Sequence, residues 1–292
     1  MIQEFEYRIQ EQGAILTGCT KEQPELVLPQ QLCGYPVVGI DKKVFLGKNK
    51  LVQVILPSSL LTIGDWAFAH CRNLEWIQVP DHSLTTGKEV CVGCRKLRYY
   101  GTGRTTRDCL LPMMMKHHLS EQLCNPAEYY SNEWYARIDQ RIGDFLDAQD
   151  NADYQGLWTF GEEDYTDRNF EIEIYEEERR KDKAELCLCR MLLAEALPHA
   201  MRARMEDYLV SHSTADSAQE TLHMLMERHG TELEYFQAFV RLPGITGEEI
   251  CRLLEGLPET STGIRAFLVN SSKELLQKHD FFDTLLSSMS FR

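Results

Sequence analysis

The sequence predicts an α+β chain in which a short solenoid of stacked strands is followed by an all-α helical-repeat domain. Three observations predict it. The same residue types return every 23 residues over the amino-terminal third, the apolar spacing changes to that of amphipathic helices from about residue 110, and the charge changes at the same place. Residues 1–108 carry 13 Lys+Arg and 11 Asp+Glu, whereas residues 109–292 carry 18 and 34. The expected organisation is a solenoid over 1–108, a helical connector with an acidic loop over 109–170, and an α-helical repeat over 171–292.

The repeat emerges when the chain is shifted by 23 residues. Ile40, Ile63 and Thr86 align, as do Val44-Phe45, Ala67-Phe68 and Val90-Cys91, and Leu51, Leu74 and Leu97; Pro57 falls on Pro80. A coil of this length cannot bury its own apolar face and must stack on a neighbour. Within it, Leu51-x-x-Val54-x-Leu56 and Leu74-x-x-Ile77-x-Val79 alternate as a short strand with one inward face should. Proline closes the strand. The segment Ile63-Gly64-Asp65-Trp66-Ala67-Phe68 suits a compact turn whose phenylalanine plugs the core between coils. The third unit has Cys91 in place of that Phe and Gly103 in place of proline, as degenerate terminal repeats do.

At these residues the chain resembles the BspA-like leucine-rich repeats, a bacterial family with a motif of about this period. The resemblance extends to the lead-in YRIQEQGAILTGC (7–19) and to LVLPQQLCGYPVVGI (26–40), and it covers about residues 5–106. It implies a short leucine-rich-repeat solenoid, a curved stack of short strands used to bind other macromolecules. Some members of the family are surface adhesins.

From about residue 110 the pattern is helical. Trp134, Ile138, Ile142, Phe145 and Leu146 form an apolar stripe behind the capping candidates Ser131 and Asn132. Residues 150–169 read as an acidic connection, and a long helix is expected from about Ile172 to Ala196, ending before Pro198. Short helices are expected at about 199–212, 216–229, 231–242, 247–257 and 263–278. Capping-box pairs stand at Ser217/Glu220, Thr231/Glu234 and Thr246/Glu249. Short paired helices with short links suggest a repeat of ankyrin or HEAT type. The stretch MEDYLVSHSTADSAQETLHMLMERHG and the later GITGEEICRLLEGL are similar to helical tails of leucine-rich-repeat proteins of gut Firmicutes.

The motifs that could carry chemistry each have a structural reading. Cys91-Val92-Gly93-Cys94 has no second Cys or His pair at a zinc spacing, and Cys94 falls 23 residues after Cys71 at a small buried repeat position. Cys187 and Cys189 diverge by about 200° on a helix, and adjacent His117 and His118 by about 100°. Glu162-Glu163-Asp164 and Glu176-Glu177-Glu178 lack the spacing of a calcium loop and read as solvated surface. No Gly-rich phosphate loop or catalytic signature is present. No metal, cofactor or catalytic residue is therefore assigned.

The expected site follows from the alternation. If Leu74, Ile77 and Val79 point inward, Trp76 and Gln78 point outward, and the equivalents of Trp76 one coil away are Gln53 and Tyr99. Gln53, Trp76, Gln78 and Tyr99 are thus the candidate interface, with two exposed aromatics as anchors. The formal charge of −14 disfavours nucleic acid, and no apolar run is long enough to insert in a membrane. The ten cysteines read as reduced thiols in a cytoplasmic protein without a signal peptide, with the cell surface as the alternative location. The expected function is a non-catalytic adaptor for protein partners. A surface adhesin and an enzyme with a site near His117, Glu133 or Asp139 are the competing readings.

Overall fold

The computed structural model describes residues 4–21, 23–103, 110–117, 119–120, 122–152, 172–214 and 217–289, without the side chains of 276–289. The chain divides into two compact units, Met1–Arg141 and Ile142–Arg292, with the boundary inside one helix.

The first unit is a solenoid of strand pairs. A hairpin of β1 (Phe5–Gln10) and β2 (Gly13–Cys19) begins a sheet that continues in parallel through β5 (Tyr35–Ile40), β7 (Thr62–Ile63) and β9 (Thr85–Thr86), with the short β4 (Gln31–Leu32) folded back on β5. A second sheet stacks β3 (Glu25–Val27), β6 (Gln53–Ile55), β8 (Trp76–Gln78) and β10 (Tyr99–Gly101), all parallel. The register is that of the repeat. Gln53, Trp76 and Tyr99 are mutual partners, as are Val54, Ile77 and Tyr100.

The turn that joins the sheets explains the Phe position. Phe45 and Phe68 are fully buried and stack at 4.8 Å between ring centroids. The turn bends through the left-handed region twice per coil, at Lys43, Trp66 and Glu89 and again at Gly47, His70 and Gly93. Both sets recur at the 23-residue period. Coil-to-coil hydrogen bonds from Phe45 to Ala67 and from Phe68 to Val90 hold each strained turn to the next, which offsets the local cost.

Helix α1 (Leu110–Lys116) packs against β10 and buries Leu110, Leu111, Met113, Met114 and Met115. Helix α2 (Asn132–Asp147) starts where the Trp134 amide donates to the Ser131 hydroxyl, and Trp134 in turn donates its indole N–H to the Leu123 carbonyl.

The second unit is helical. Its longest buried helix, α3 (Ile172–Leu192), is followed by α4 (His199–Ser211), α5 (Glu220–His229), α6 (Leu233–Val240), α7 (Gly247–Gly256) and α8 (Thr262–Met289). Contacts run within the pairs α3/α4, α5/α6 and α7/α8, along α3, α5 and α7, and also between α3 and α6 and between α6 and α8. That is the contact order of stacked helix pairs. Among the described residues, no helix is long and apolar enough to cross a membrane.

Three boundary expectations need correction. Helix α3 stops at Leu192, before Ala196, because the fully buried Arg190 guanidinium donates to the Leu193 and Glu195 carbonyls and closes the helix end. Helix α5 starts at Glu220 behind a left-handed Gln219 rather than at Ser217, whose hydroxyl accepts the Gln219 amide in the preceding turn. Helix α6 is capped at Glu232 without a side-chain bond, since the Glu232 carboxylate is engaged by His229. At α7 the Thr246/Glu249 capping box forms as expected. The acidic connection falls largely outside the described residues.

Candidate interaction surface

Parallel strands place equivalent side chains in columns about 4.8 Å apart. In the four-stranded sheet the central residues Leu26, Val54, Ile77 and Tyr100 are buried inside the coils. The flanking positions form two columns, Glu25, Gln53, Trp76 and Tyr99, and Val27, Ile55, Gln78 and Gly101, exposed or half-buried except in β10. The predicted site residues are therefore brought together on one face.

Their exposure is not uniform. Gln53, Trp76 and Gln78 are half-buried, while Tyr99 is only 2% exposed and offers no surface to a partner. The Trp76 ring lies on it, with centroids 3.6 Å apart and planes 7° apart, and the Tyr99 hydroxyl accepts the Gly103 amide. Gly103 adopts φ +82°, and a Cβ there would lie 3.1 Å from the Gln78 amide nitrogen, so the glycine that replaces the repeat's proline lets Gln78 pack on the turn. The expectation of two exposed aromatics is thus corrected to one, Trp76, with Tyr99 as its platform. Val27, 62% exposed, and half-buried Ile55 extend the patch. Both stand in register with Gln78, Ile55 one strand away and Val27 two.

The thiols have structural partners. Cys71 donates to the Phe45 carbonyl and Cys94 to the Phe68 carbonyl, one coil apart. The bond with Cys94, then burial, pushes the Cys71 thiol well above its usual range. For Cys94 the bond from Cys71 works the other way but is outweighed by the bond to Cys91 and by burial. Cys187 and Cys189 are both buried in α3, where Cys189 meets the Tyr235 hydroxyl at 3.3 Å. Among the described residues no three His, Cys, Asp or Glu side chains are grouped to hold a metal ion. Glu133 is exposed, Asp139 buried and His117 half-buried; His118 lies outside the described residues. Glu177 and Glu178 are paired with Lys181, and Glu178 also with Arg228, so that acidic run is surface held in ion pairs.

Residues 34–105 match the family model of the BspA type leucine rich repeat region, in six copies. This part of the solenoid is a BspA-type leucine-rich-repeat region. Three solved structures are each similar to about a third of the chain. A leucine-rich repeat protein of T. pallidum is 32% identical, covering 33% of this chain and 57% of that one, at a TM-score of 0.30. A leucine-rich cell surface protein from Faecalibacterium prausnitzii is 22% identical, with coverages of 34% and 29% and a TM-score of 0.31. For a leucine-rich repeat protein from Bacteroides ovatus the values are 21% identity, 34% and 33% coverage, and 0.27. The chain thus spans about a third to just over half the length of these proteins. No curated protein matches it. Leucine-rich-repeat proteins generally mediate protein–protein interaction, through the extended surface that a solenoid presents.

Proposed function

We propose that the protein is a non-catalytic adaptor that binds a protein partner on the outer face of its four-stranded repeat sheet. The observation that carries this reading is the half-buried Trp76 stacked on a buried Tyr99, with Gln53 and Gln78 beside it and Val27 and Ile55 at its flank. A large aromatic held in one orientation by its neighbour gives up little rotamer freedom on binding. Side-chain amides around it supply hydrogen bonds, and the aliphatic pair supplies apolar area.

The test is affinity capture from the source cell with wild type and with a Trp76→Ala/Gln78→Ala variant, followed by titration of any purified partner against both. Loss of about 2 kcal/mol, or roughly thirtyfold in Kd, is expected for a central aromatic anchor. Equal Kd values for the two proteins would overturn the assignment of the face.

A further inference from the structure

We infer that the partner of this face is an acidic, apolar-bearing protein segment, because a basic ridge borders the face at the amino-terminal ends of β6, β8 and β10, while β3 at the sheet edge begins with exposed Glu25. The inference rests on the reading of the sheet face given above. The ridge is built by the same repeat register. The turns leading into β6, β8 and β10 read Lys48-Asn49-Lys50, Arg72-Asn73 and Arg95-Lys96-Leu97-Arg98. In these turns Glu75 is the one acidic residue, against six Lys and Arg. Lys50, Arg72, Arg95, Lys96 and Arg98 are exposed and Lys48 is half-buried.

Two features separate this ridge from ordinary solvated charge. The chain as a whole carries −14, yet Lys48, Arg72, Arg95 and Lys96 form no ion pair with any described residue. In contrast, Arg180, Lys181 and Arg228 of the helical unit each engage two or more carboxylates. The ridge is also fixed in place. The Arg72 amide donates to the Asn49 side chain at 3.2 Å, Asn73 donates to the Asn49 carbonyl at 2.8 Å, and the Arg98 amide donates to the Glu75 carbonyl one coil away. Cations carried at a fixed spacing on a hydrogen-bonded backbone create a local positive potential.

The sheet face decides which anion. Trp76 beside the ridge, with Ile55 and Val27 in the column beyond it, rewards apolar side chains that a plain polyanion lacks, and a long polyanion would also meet the repulsion of the remaining acidic chain. A segment in which carboxylates meet the ridge while aromatic or aliphatic side chains meet Trp76 satisfies both halves.

The experiment is fluorescence anisotropy on the full chain with a labelled peptide alternating Glu and Phe, its Lys/Phe counterpart, a heparin fragment and a short single-stranded oligonucleotide. Wild type is expected to bind the Glu/Phe peptide and not the Lys/Phe one, more weakly at about 300 mM than at about 50 mM salt. An Arg72→Glu/Arg95→Glu/Lys96→Glu variant is expected to lose at least about tenfold in affinity with an unchanged thermal midpoint, since the three side chains are exposed and form no ion pair among the described residues. The inference is overturned if that variant binds the peptide as wild type does, or if heparin or the oligonucleotide binds and the Glu/Phe peptide does not. Trp76→Ala separates the two readings. Peptide binding lost in Trp76→Ala but kept in the charge variant upholds the face and rejects the acidic partner; the reverse upholds the ridge and rejects the face.

Discussion

Phe68→Ala is the perturbation that probes the solenoid core most directly. The Phe68 side chain is fully buried, stacks on Phe45 at 4.8 Å, and is followed one coil later by the smaller Cys91. Its neighbours along the turn, Ala67 and Ala69, are buried and too small to fill a vacated ring. The hole would therefore persist, and a Phe→Ala change of this kind costs about 3–5 kcal/mol. Against a total stability of roughly 5–15 kcal/mol, that is a large part of what holds a domain folded. With a urea slope of about 2 kcal/mol per molar, the midpoint should fall by about 2 M. Trp66 and Trp76, on the same coil, report the transition by fluorescence. Phe68→Leu, which keeps most of the volume, should cost less than about 1.5 kcal/mol. A shift below about 0.5 M for Phe68→Ala would refute the view that the phenylalanine column is the core of the stack.

Three further outcomes follow from the structure. His229, 7% exposed and stacked on Tyr235, has Glu232 2.8 Å from Nδ1 and Glu185 3.1 Å from Nε2, so only the doubly protonated ring donates to both. Burial opposes the charge, but the two carboxylate bonds outweigh it and raise the pKa, with Arg228 and Asp182 as the nearby charges around Glu185. The sign follows: the stabilisation is complete below the ordinary histidine range and is lost as pH rises through the raised value, so the helical unit's melting midpoint should fall toward alkaline pH and His229→Gln should flatten that dependence. No difference in the pH profiles would contradict the clamp. Thr246→Ala removes the capping box of α7 and should cost about 1 kcal/mol in a denaturant titration, a value near zero counting against the cap. In thiol labelling mapped by mass spectrometry, exposed Cys33 and Cys251 should react in the native protein. Cys124 and Cys187, pushed up to about 12 by burial, should react only after unfolding.

How much the sequence revealed depended on whether a feature was periodic. Leu51, Val54 and Leu56 and their counterparts 23 residues on placed the inner strands, their register and the outward column, because one alternation satisfied both strand geometry and stacking. The sheet that continues through β5, β7 and β9 was hidden, since β7 and β9 are two residues long and too short to alternate. The left-handed turns were hidden too: they fall on Lys43, Trp66, His70 and Glu89, whose side chains carry no glycine signal. Spacing placed Trp76 and Tyr99 on adjacent coils but did not show that the two rings stack or that Tyr99 is buried. In the helical unit, Lys181, Lys183 and Glu185 carry charges of the kind that usually stay in solvent, but they are buried. Lys183 reaches the Ala148 carbonyl and Asp150, while Glu185 meets Arg228 and His229. Pairing of this kind is set by tertiary contacts and leaves no local pattern.

The account's central claim is that the outer face of the four-stranded sheet is where a protein partner sits. Site-specific photo-crosslinking in the source cell tests it most directly, with a benzophenone side chain placed at Gln53 or Gln78 and, as controls, at Thr62 or Thr85, which are exposed in register on the other sheet. The account predicts a discrete adduct with one protein from Gln53 and Gln78 and none from Thr62 and Thr85. Adducts from the threonine positions alone would contradict it.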